Sequence, residues 1–200
     1  MMLAACVMTM SVIDEIRNKT ELLAAVKTVR SGGVIAYPTE SCFGLGCDPK
    51  NPQAVRRLLA LKRRSYRKGL ILIASSVQQI QEYADVQSSP MSSEILDSWP
   101  GPNTWLLQPT HKVSRLVRGK FENIAIRLTA HPIATALCDA VNGAIVSTSL
   151  NFQGQAPLKT QEVVRQQFGS RIDFIVSGNI GHDNKPSTIR DGLSGNILRK

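Results

Sequence analysis

Hydrophobic positions along the chain alternate between a helical period and short continuous runs. Behind Thr20 they recur at helical spacing up to Gly32, which predicts a helix with a threonine N-cap and a glycine at its end. Residues 34–37 form a continuous apolar run, which predicts a buried strand. Asn51 is a good N-cap before a proline, so a second helix is predicted over residues 52–64.

The rest of the chain continues this alternation of strands and helices. Further strands are predicted over 69–74, 104–109, 123–128, 144–149 and 171–177, with short closing strands over 187–191 and 196–200. Further helices are predicted over 77–84, 131–141 and 160–168. The most loop-like stretch, 85–94, is too short to separate two domains. The mixed element lengths and hairpin-like spacings predict a single α/β domain with a mixed sheet.

The composition is that of an ordinary soluble domain. Hydrophobic residues make up 42% of the chain and charged residues 20%, which is typical of a globular protein. No run of about 18 apolar residues occurs, so no membrane contact is expected. The 4 cysteines form no CxxC pair, which favours free thiols, a cytoplasmic location and no metal site.

The amino-terminal segment does not resemble a secretory signal. It is apolar but short, lacks a basic start, and is followed closely by Asp14 and Glu15. We expect residues 1–15 to be a disordered leader, or Met10 to be the functional start. Residues 16–200 are then the folded domain.

The net charge of +9 says more about possible binding partners than the composition does. A basic excess of this size indicates polyanionic partners, because the summed field of the protein attracts them. The charge alone leaves open whether the partner is a nucleotide, a nucleic acid or both.

The segment Pro38–Thr39–Glu40–Ser41 stands where the first predicted strand ends. Ligands of open α/β sheets bind beyond the carboxyl ends of strands, and the hydroxyls of Thr39 and Ser41 suit such a site. A simple Ser/Thr turn is the alternative. Gly44 and Gly46 are expected to serve backbone shape, and they do not belong to a Walker P-loop.

A basic run over residues 56–68 carries seven cations and no acid. It is either a solvated helix face or a phosphate site in which Lys62, Arg64 and Lys68 converge. Single-stranded nucleic acid is the rival ligand. Only Tyr66 could stack on a base there, so a stacking platform has little support.

Three further segments carry candidate chemistry. Ser149 and Asn151 follow a predicted strand, where buried polar groups need a partner in the protein or in a ligand. Arg127 lies within a strand and pairs with either a structural carboxylate or the carboxylate of a ligand. Ser187 adds a hydroxyl near the end of the chain.

These segments share a chemistry of hydroxyls and cations. No Ser-His-Asp, Cys-His or HExxH pattern and no carboxylate pair accompanies them. Such a set suits the binding and orientation of phosphates, where catalysis comes mostly from positioning and electrostatics.

Six segments, in this order, resemble the YrdC/TsaC family, the threonylcarbamoyl-AMP synthases, in its single-domain form. They read YPTESCFGLGCDP, LKRRSYRKGLILIA, WPGPNTWLL, IAIRLTAHP, STSLNFQG and PSTIRD, and the likeness extends from about residue 20 to residue 199. The resemblance implies a twisted sheet of mixed parallel and antiparallel strands, flanked by helices, around a basic concave cleft.

The resemblance also implies a reaction. L-threonine and bicarbonate (or CO2) form a carbamate that attacks the α-phosphate of ATP, which gives L-threonylcarbamoyladenylate and pyrophosphate. Mg2+ is expected to accompany ATP without a protein cage. Partner proteins of the TsaD, TsaB and TsaE type then carry the group to adenosine 37 of tRNA, giving t6A.

Site residues follow from the same resemblance. Those implied to bind ATP are Lys62, Arg64, Lys68, Ser149, Asn151 and Arg199, with Lys62 and Arg64 as the catalytic pair. Those implied to bind threonine are Thr39, Arg127 and Ser187, with Arg127 on the carboxylate. No metal ligands are implied.

Three positions depart from the family pattern, and one alternative function remains. Leu150 stands where alanine is usual, Ile73 where some members have histidine, and Phe43 where a tyrosine hydroxyl is common. The alternative is a basic module that binds tRNA or double-stranded RNA without catalysis. An RNA module would have no need of the ordered Thr39 and Arg127 motifs, which favour an amino-acid pocket.

Overall fold

The computed structural model describes residues 19–152, 154–183 and 185–199. The leader predicted over residues 1–15 lies outside these described residues. The strands are β1 (Ile35–Pro38), β2 (Phe43–Gly46), β3 (Ile71–Ala74), β4 (Asn103–Leu107), β5 (Ile124–Leu128), β6 (Ile145–Ser149), β7 (Phe174–Ile175), β8 (Thr188–Asp191) and β9 (Ile197–Arg199). The helices are α1 (19–30), α2 (Pro52–Leu61), α3 (Val77–Ile80), α4 (Ser92–Asp97), α5 (Arg115–Arg118), α6 (Pro132–Val141) and α7 (Gln161–Phe168), with a 3-10 turn at Tyr66–Lys68.

The strands form one mixed sheet in the order β7-β1-β2-β6-β3-β5-β4-β8-β9. Three neighbouring pairs are parallel, namely β1 with β7, β3 with β5, and β4 with β8. The other neighbours are antiparallel. The predicted single α/β domain with a mixed sheet is therefore confirmed.

The apolar residues of the sheet are buried on both of its faces. Ile73 and Ile145 pack with Leu137 of α6 in one cluster, and Ala25 and Val29 of α1 belong to the same cluster. Leu72, which points the other way, belongs to the larger cluster of buried residues on the opposite face, along with helix residues such as Leu58, Val117 and Phe168. A strand covered on both faces needs a continuous apolar run, and this is what residues 69–74 show.

Helix α2 begins as predicted but ends three residues early. The Asn51 Oδ1 atom accepts hydrogen bonds from the backbone N–H of Gln53 (3.0 Å) and Ala54 (3.1 Å), as an N-cap should. The helix ends at Leu61 because Arg63 adopts a left-handed backbone with φ 50°. The predicted end at residue 64 is wrong, so the basic residues after Leu61 lie in a turn and not on one helix face.

Strand β2 is not predicted by the hydrophobic pattern. Its sequence FGLG pairs with β1 on one side and with β6 on the other. Neither glycine has a positive φ, so their expected role in backbone shape is not what the strand requires. A Cβ atom at Gly46 would lie 2.7 Å from the Val146 carbonyl oxygen and 2.8 Å from Cε1 of Tyr37. The glycines instead leave room for the buried Tyr37 ring.

We therefore expect Gly46→Ala to lower the free energy of unfolding by about 1–3 kcal/mol, because the added methyl overpacks a fully buried site. Urea unfolding followed by circular dichroism measures this loss. Gly143→Ala is the matched control, since no described atom beyond its chain neighbours would lie within 4 Å of a Cβ at Gly143. Equal stability of the two variants would contradict the packing role of Gly46.

No helix among the described residues is long and apolar enough to cross a membrane. The described cysteines, Cys42, Cys47 and Cys138, are buried and carry free thiols. Across the same residues, no group of three or more His, Cys, Asp or Glu side chains could hold a metal ion.

Candidate functional site

A cavity of about 340 Å³ lies on the sheet face that carries Ile73. Residues of the central strands line it, among them Ile71 and Ile73, which are two positions apart on β3 and so project from the same face. The predicted site residues among its lining are Thr39, Arg64, Arg127, Ser149, Ser187 and Arg199. The fold thus brings together six residues that are up to 160 positions apart in the chain.

The lining of this cavity is cationic. Its charged members among the described residues are Arg64, Arg127, Lys159, Lys185 and Arg199, and none of its described members is acidic. Sequence reasoning missed both lysines, although each lies next to a recognised signal. Lys159 precedes the Thr160 N-cap, and Lys185 precedes the Pro186–Ser187 motif.

The positively charged side chains of Arg64 and Arg199 line the same cavity. The Nη2 atom of Arg64 donates to the carbonyl oxygens of Gly69 (2.9 Å) and Lys68 (3.3 Å). Nη2 of Arg199 donates to the Ser187 carbonyl at 2.9 Å. Burial first, and then the nearby Arg199 charge, lower the pKa of Arg64. Two guanidinium groups held in this way favour an anionic ligand between them.

Lys62 lies behind the cavity and does not line it. Its Nζ atom donates to the Asn151 Oδ1 atom at 2.7 Å and also to the backbone carbonyl oxygens of Ser149 and Asn151. Burial, followed by the charge of Arg64, lowers the pKa of Lys62 to about 8, so the ammonium form still dominates at neutral pH. Lys62 therefore ties the end of α2 to the turn after β6, and its predicted contact with phosphates stays a prediction.

Arg127 pairs with a carboxylate of the protein, the alternative that the sequence had left open. Its Nη2 atom lies 2.6 Å from Oε1 of Glu40, and its Nε donates to the Gly101 carbonyl at 2.8 Å. The same Glu40 oxygen accepts from Oγ1 of Thr129 (2.7 Å) and from the backbone N–H of Ala130 (3.0 Å). Burial would raise the pKa of Glu40, but the Arg127 charge and these donors outweigh it and lower the pKa.

The segment after β1 is both a turn and a cavity wall. The Thr39 hydroxyl donates to the Cys42 carbonyl at 2.7 Å, which closes the predicted Ser/Thr turn while Thr39 lines the cavity. The segment before β8 lies against it, because the backbone N–H of Gly181 donates to the Thr39 carbonyl at 2.9 Å. The Ser187 hydroxyl lies 2.8 Å from the buried Thr104 hydroxyl, which fixes its position.

A second cavity of about 260 Å³ adjoins the first and continues along the sheet face. The two share lining residues, namely Arg64, Leu70, Ile71 and Arg199. Its walls are mostly apolar, with the exposed ring of Phe121 on one side, and it contains the predicted Lys68 together with Arg118. Sequence reasoning missed Arg118 and Phe121, because no motif marks them.

Fold and site define an α/β protein with a cation-lined cavity on one face of a mixed sheet. The model of the Sua5, YciO and YrdC proteins, described as "Telomere recombination", matches residues 27–200. The chain belongs to this family, as the resemblance of the six motifs had predicted.

Relatives and solved structures agree with this assignment. The chain is 48% identical over 176 residues to the threonylcarbamoyl-AMP synthase of Halorhodospira halophila, covering 88% of this chain and 92% of that protein. It is 45% identical over 178 residues to the enzyme of the same name from Methylococcus capsulatus, covering 89% and 96%.

Two similar solved structures differ in how much of their length this chain covers. P. abyssi Sua5, solved in complex with L-threonine, superposes with a TM-score of 0.79 at 30% identity, over 87% of this chain and 51% of Sua5. E. coli YciO superposes with a TM-score of 0.78 at 28% identity, over 92% of this chain and 89% of YciO. The chain thus spans about half the length of Sua5 and most of YciO.

Proposed function

We propose that this protein is a threonylcarbamoyl-AMP synthase, which forms L-threonylcarbamoyladenylate and pyrophosphate from L-threonine, bicarbonate or CO2, and ATP. The observation that carries the proposal is its 43–48% identity, over most of the chain, to enzymes of that name. The cavity geometry supports it, because the cations and hydroxyls that line one cavity suit an amino acid beside a phosphate chain.

The cavity divides into two sides that suit the two substrates. On one side, Arg127 binds the threonine carboxylate through its Nη1 atom, because its Nε donates to Gly101 and its Nη2 contacts Glu40. The hydroxyls of Thr39 and Ser187 belong to the same cavity. On the other side, Arg64 and Arg199 bind the phosphates. The flat adenine ring binds in the adjoining apolar cavity. Lys68, which lines that cavity, neutralises phosphate charge.

The chemistry needs orientation more than a protein base. An oxygen of the threonine carbamate forms a bond to the α-phosphorus of ATP, and the bond from that phosphorus to the bridging oxygen breaks, so pyrophosphate leaves. The arginines hold the phosphates in line and neutralise the charge that builds up on the leaving group. Mg2+ bound to the phosphates would add to this neutralisation.

Lys62, Ser149 and Asn151 act as one unit in this proposal. Because the Lys62 ammonium donates to the carbonyl groups of Ser149 and Asn151, it positions the turn that faces the nucleotide. The Ser149 hydroxyl lines the cavity and contacts the nucleotide. Lys62 supports the reaction from behind this turn, with its ammonium charge close to the phosphates.

The product has to be passed on, because an acyl adenylate is a reactive mixed anhydride. We propose that t6A-pathway proteins of the TsaD, TsaB and TsaE type accept it, and that the protein works in the cytoplasm. The net charge of +9 also favours binding of tRNA or double-stranded RNA as a second property.

Incubation with ATP, L-threonine and bicarbonate is expected to yield threonylcarbamoyl-AMP, detected by mass spectrometry, and pyrophosphate in equal amount. Omission of threonine or bicarbonate should abolish both products. Pyrophosphate release that stays unchanged without threonine would contradict the proposed substrates. Tight, salt-sensitive tRNA binding with no adenylate formation would instead favour the RNA-binding alternative.

A further inference from the structure

One apolar side chain of the main cavity stands directly beside Arg127. Strands β3 and β5 are parallel, and their register pairs Ile73 with Arg127. Paired residues of neighbouring strands are about 5 Å apart and point to the same face of the sheet. Ile73 is only 5% exposed and lines the cavity, so its side chain forms part of the wall next to the guanidinium.

The cavity that Arg127 lines also contains hydroxyl groups. The hydroxyls of Thr39, Ser147 and Ser187 line the same cavity. An amino acid whose carboxylate lies on Arg127 therefore has hydroxyl groups on some sides and an isoleucine on another. In threonine the β-carbon carries both a hydroxyl and a methyl, and these point in different directions. The cavity offers each of them a matching neighbour.

We propose that Ile73 contacts the β-methyl of threonine and thereby sets the preference of the site for threonine over serine and over allo-threonine. The proposal rests on the proposed function and adds to it the residue that distinguishes the threonine side chain from others. Serine lacks the methyl, so it gains nothing from Ile73. In allo-threonine the methyl and the hydroxyl are exchanged, so the methyl would meet the hydroxyl groups and the hydroxyl would meet Ile73.

A second isoleucine of the cavity, Ile71, is placed for a different contact. Ile71 pairs with Ala125 and Ser147 in the sheet, and it lines both cavities on the side of Arg64. It is two residues from Ile73, which is about 7 Å along a strand. Ile71 therefore faces the proposed nucleotide position and is a matched control of the same residue type.

The test compares Ile73→Ala and Ile73→Val with Ile71→Ala and Ile71→Val. For each variant, kcat/KM is measured for threonine, serine and allo-threonine by pyrophosphate release. In Ile73→Ala the threonine-to-serine ratio should fall about fourfold or more, the value for burial of one methyl group. Ile73→Val should show a smaller fall in the same direction. The Ile71 variants should keep the ratio, with any change appearing in the KM for ATP.

The outcomes separate this inference from the proposed function. A wild-type protein without threonine-dependent pyrophosphate release would contradict the function itself. An active wild type with an unchanged ratio in folded Ile73 variants would overturn the role of Ile73 alone, as would an equal loss of ratio in the Ile71 variants. Ile73 also packs in the cluster with Leu137. If Ile73→Ala does not fold, the milder Ile73→Val decides.

Discussion

Replacing Arg64 by alanine is expected to lower kcat/KM for ATP by about 100- to 1,000-fold, the usual cost of removing one donor that faces developing charge. The reason is its position, because Arg64 lines both cavities and its guanidinium is held by the carbonyl of Gly69. The fold should survive, since no acidic side chain among the described residues pairs with Arg64. Pyrophosphate release at varied ATP concentration measures the loss, and thermal unfolding checks the fold.

The preceding residue supplies the control for this experiment. Arg63 carries the same side chain, but its guanidinium lies over the Phe152 ring at 5.9 Å from the centroid, and Arg63 lines neither cavity. Arg63→Ala should therefore keep a rate close to that of the wild type. Retention of the wild-type rate by Arg64→Ala, or an equal loss in Arg63→Ala, would show that Arg64 does not bind the phosphates.

Replacing Arg127 by alanine is expected to abolish threonine-dependent turnover and to lower the free energy of unfolding by about 3 kcal/mol or more. The second effect arises because the Arg127 and Glu40 side chains are only 12% and 13% exposed, so the substitution leaves a largely buried carboxylate without its cation. Urea unfolding at neutral pH measures the stability. The double variant Arg127→Met with Glu40→Gln removes both charges and should recover much of the lost stability, but no activity.

The difference in free energy of unfolding between the wild type and Arg127→Ala is expected to depend on pH. In the wild type the folded-state pKa of Glu40 is lowered, so the stability from the pair is complete above about pH 4.5 and is lost as the pH falls through the folded pKa. The stability difference between wild type and Arg127→Ala should therefore shrink as the pH falls, because without the Arg127 charge the largely buried Glu40 takes up a proton at a higher pH than in the wild type. A difference that is independent of pH down to acid unfolding would show that the charge pair is not its source.

Much of the local structure could be predicted because its causes lie within a few residues. Asn51 caps α2 through backbone groups two and three positions ahead, and Thr160 caps α7 through the backbone N–H of Val163. The apolar run of β3 similarly shows that both faces of this strand are covered. Such signals depend on covalent geometry and on burial, and both can be predicted from residues that are close together in the sequence.

Other elements escaped prediction because their causes are distant in sequence. Strand β2 contains Gly44 and Gly46 where an alternating pattern would need side chains. Close contacts with Tyr37, and at Gly46 also with the Val146 carbonyl, explain them. The early end of α2 depends on the left-handed backbone of Arg63, a conformation that an arginine in the sequence does not indicate. The short β7, with only two residues, replaced a predicted strand of seven because its register with β1 covers just Phe174 and Ile175.

The sequence by itself determined the kinds of groups that the site contains, the caps of its helices and the family to which the chain belongs. Only the tertiary structure decided how those groups pair. It placed Arg127 against Glu40, 87 residues away, and it turned the Lys62 ammonium towards the turn after β6 instead of into the cavity. The physical reason is that a side chain meets the partners supplied by strand register and helix packing, and these are set by burial over the whole sheet.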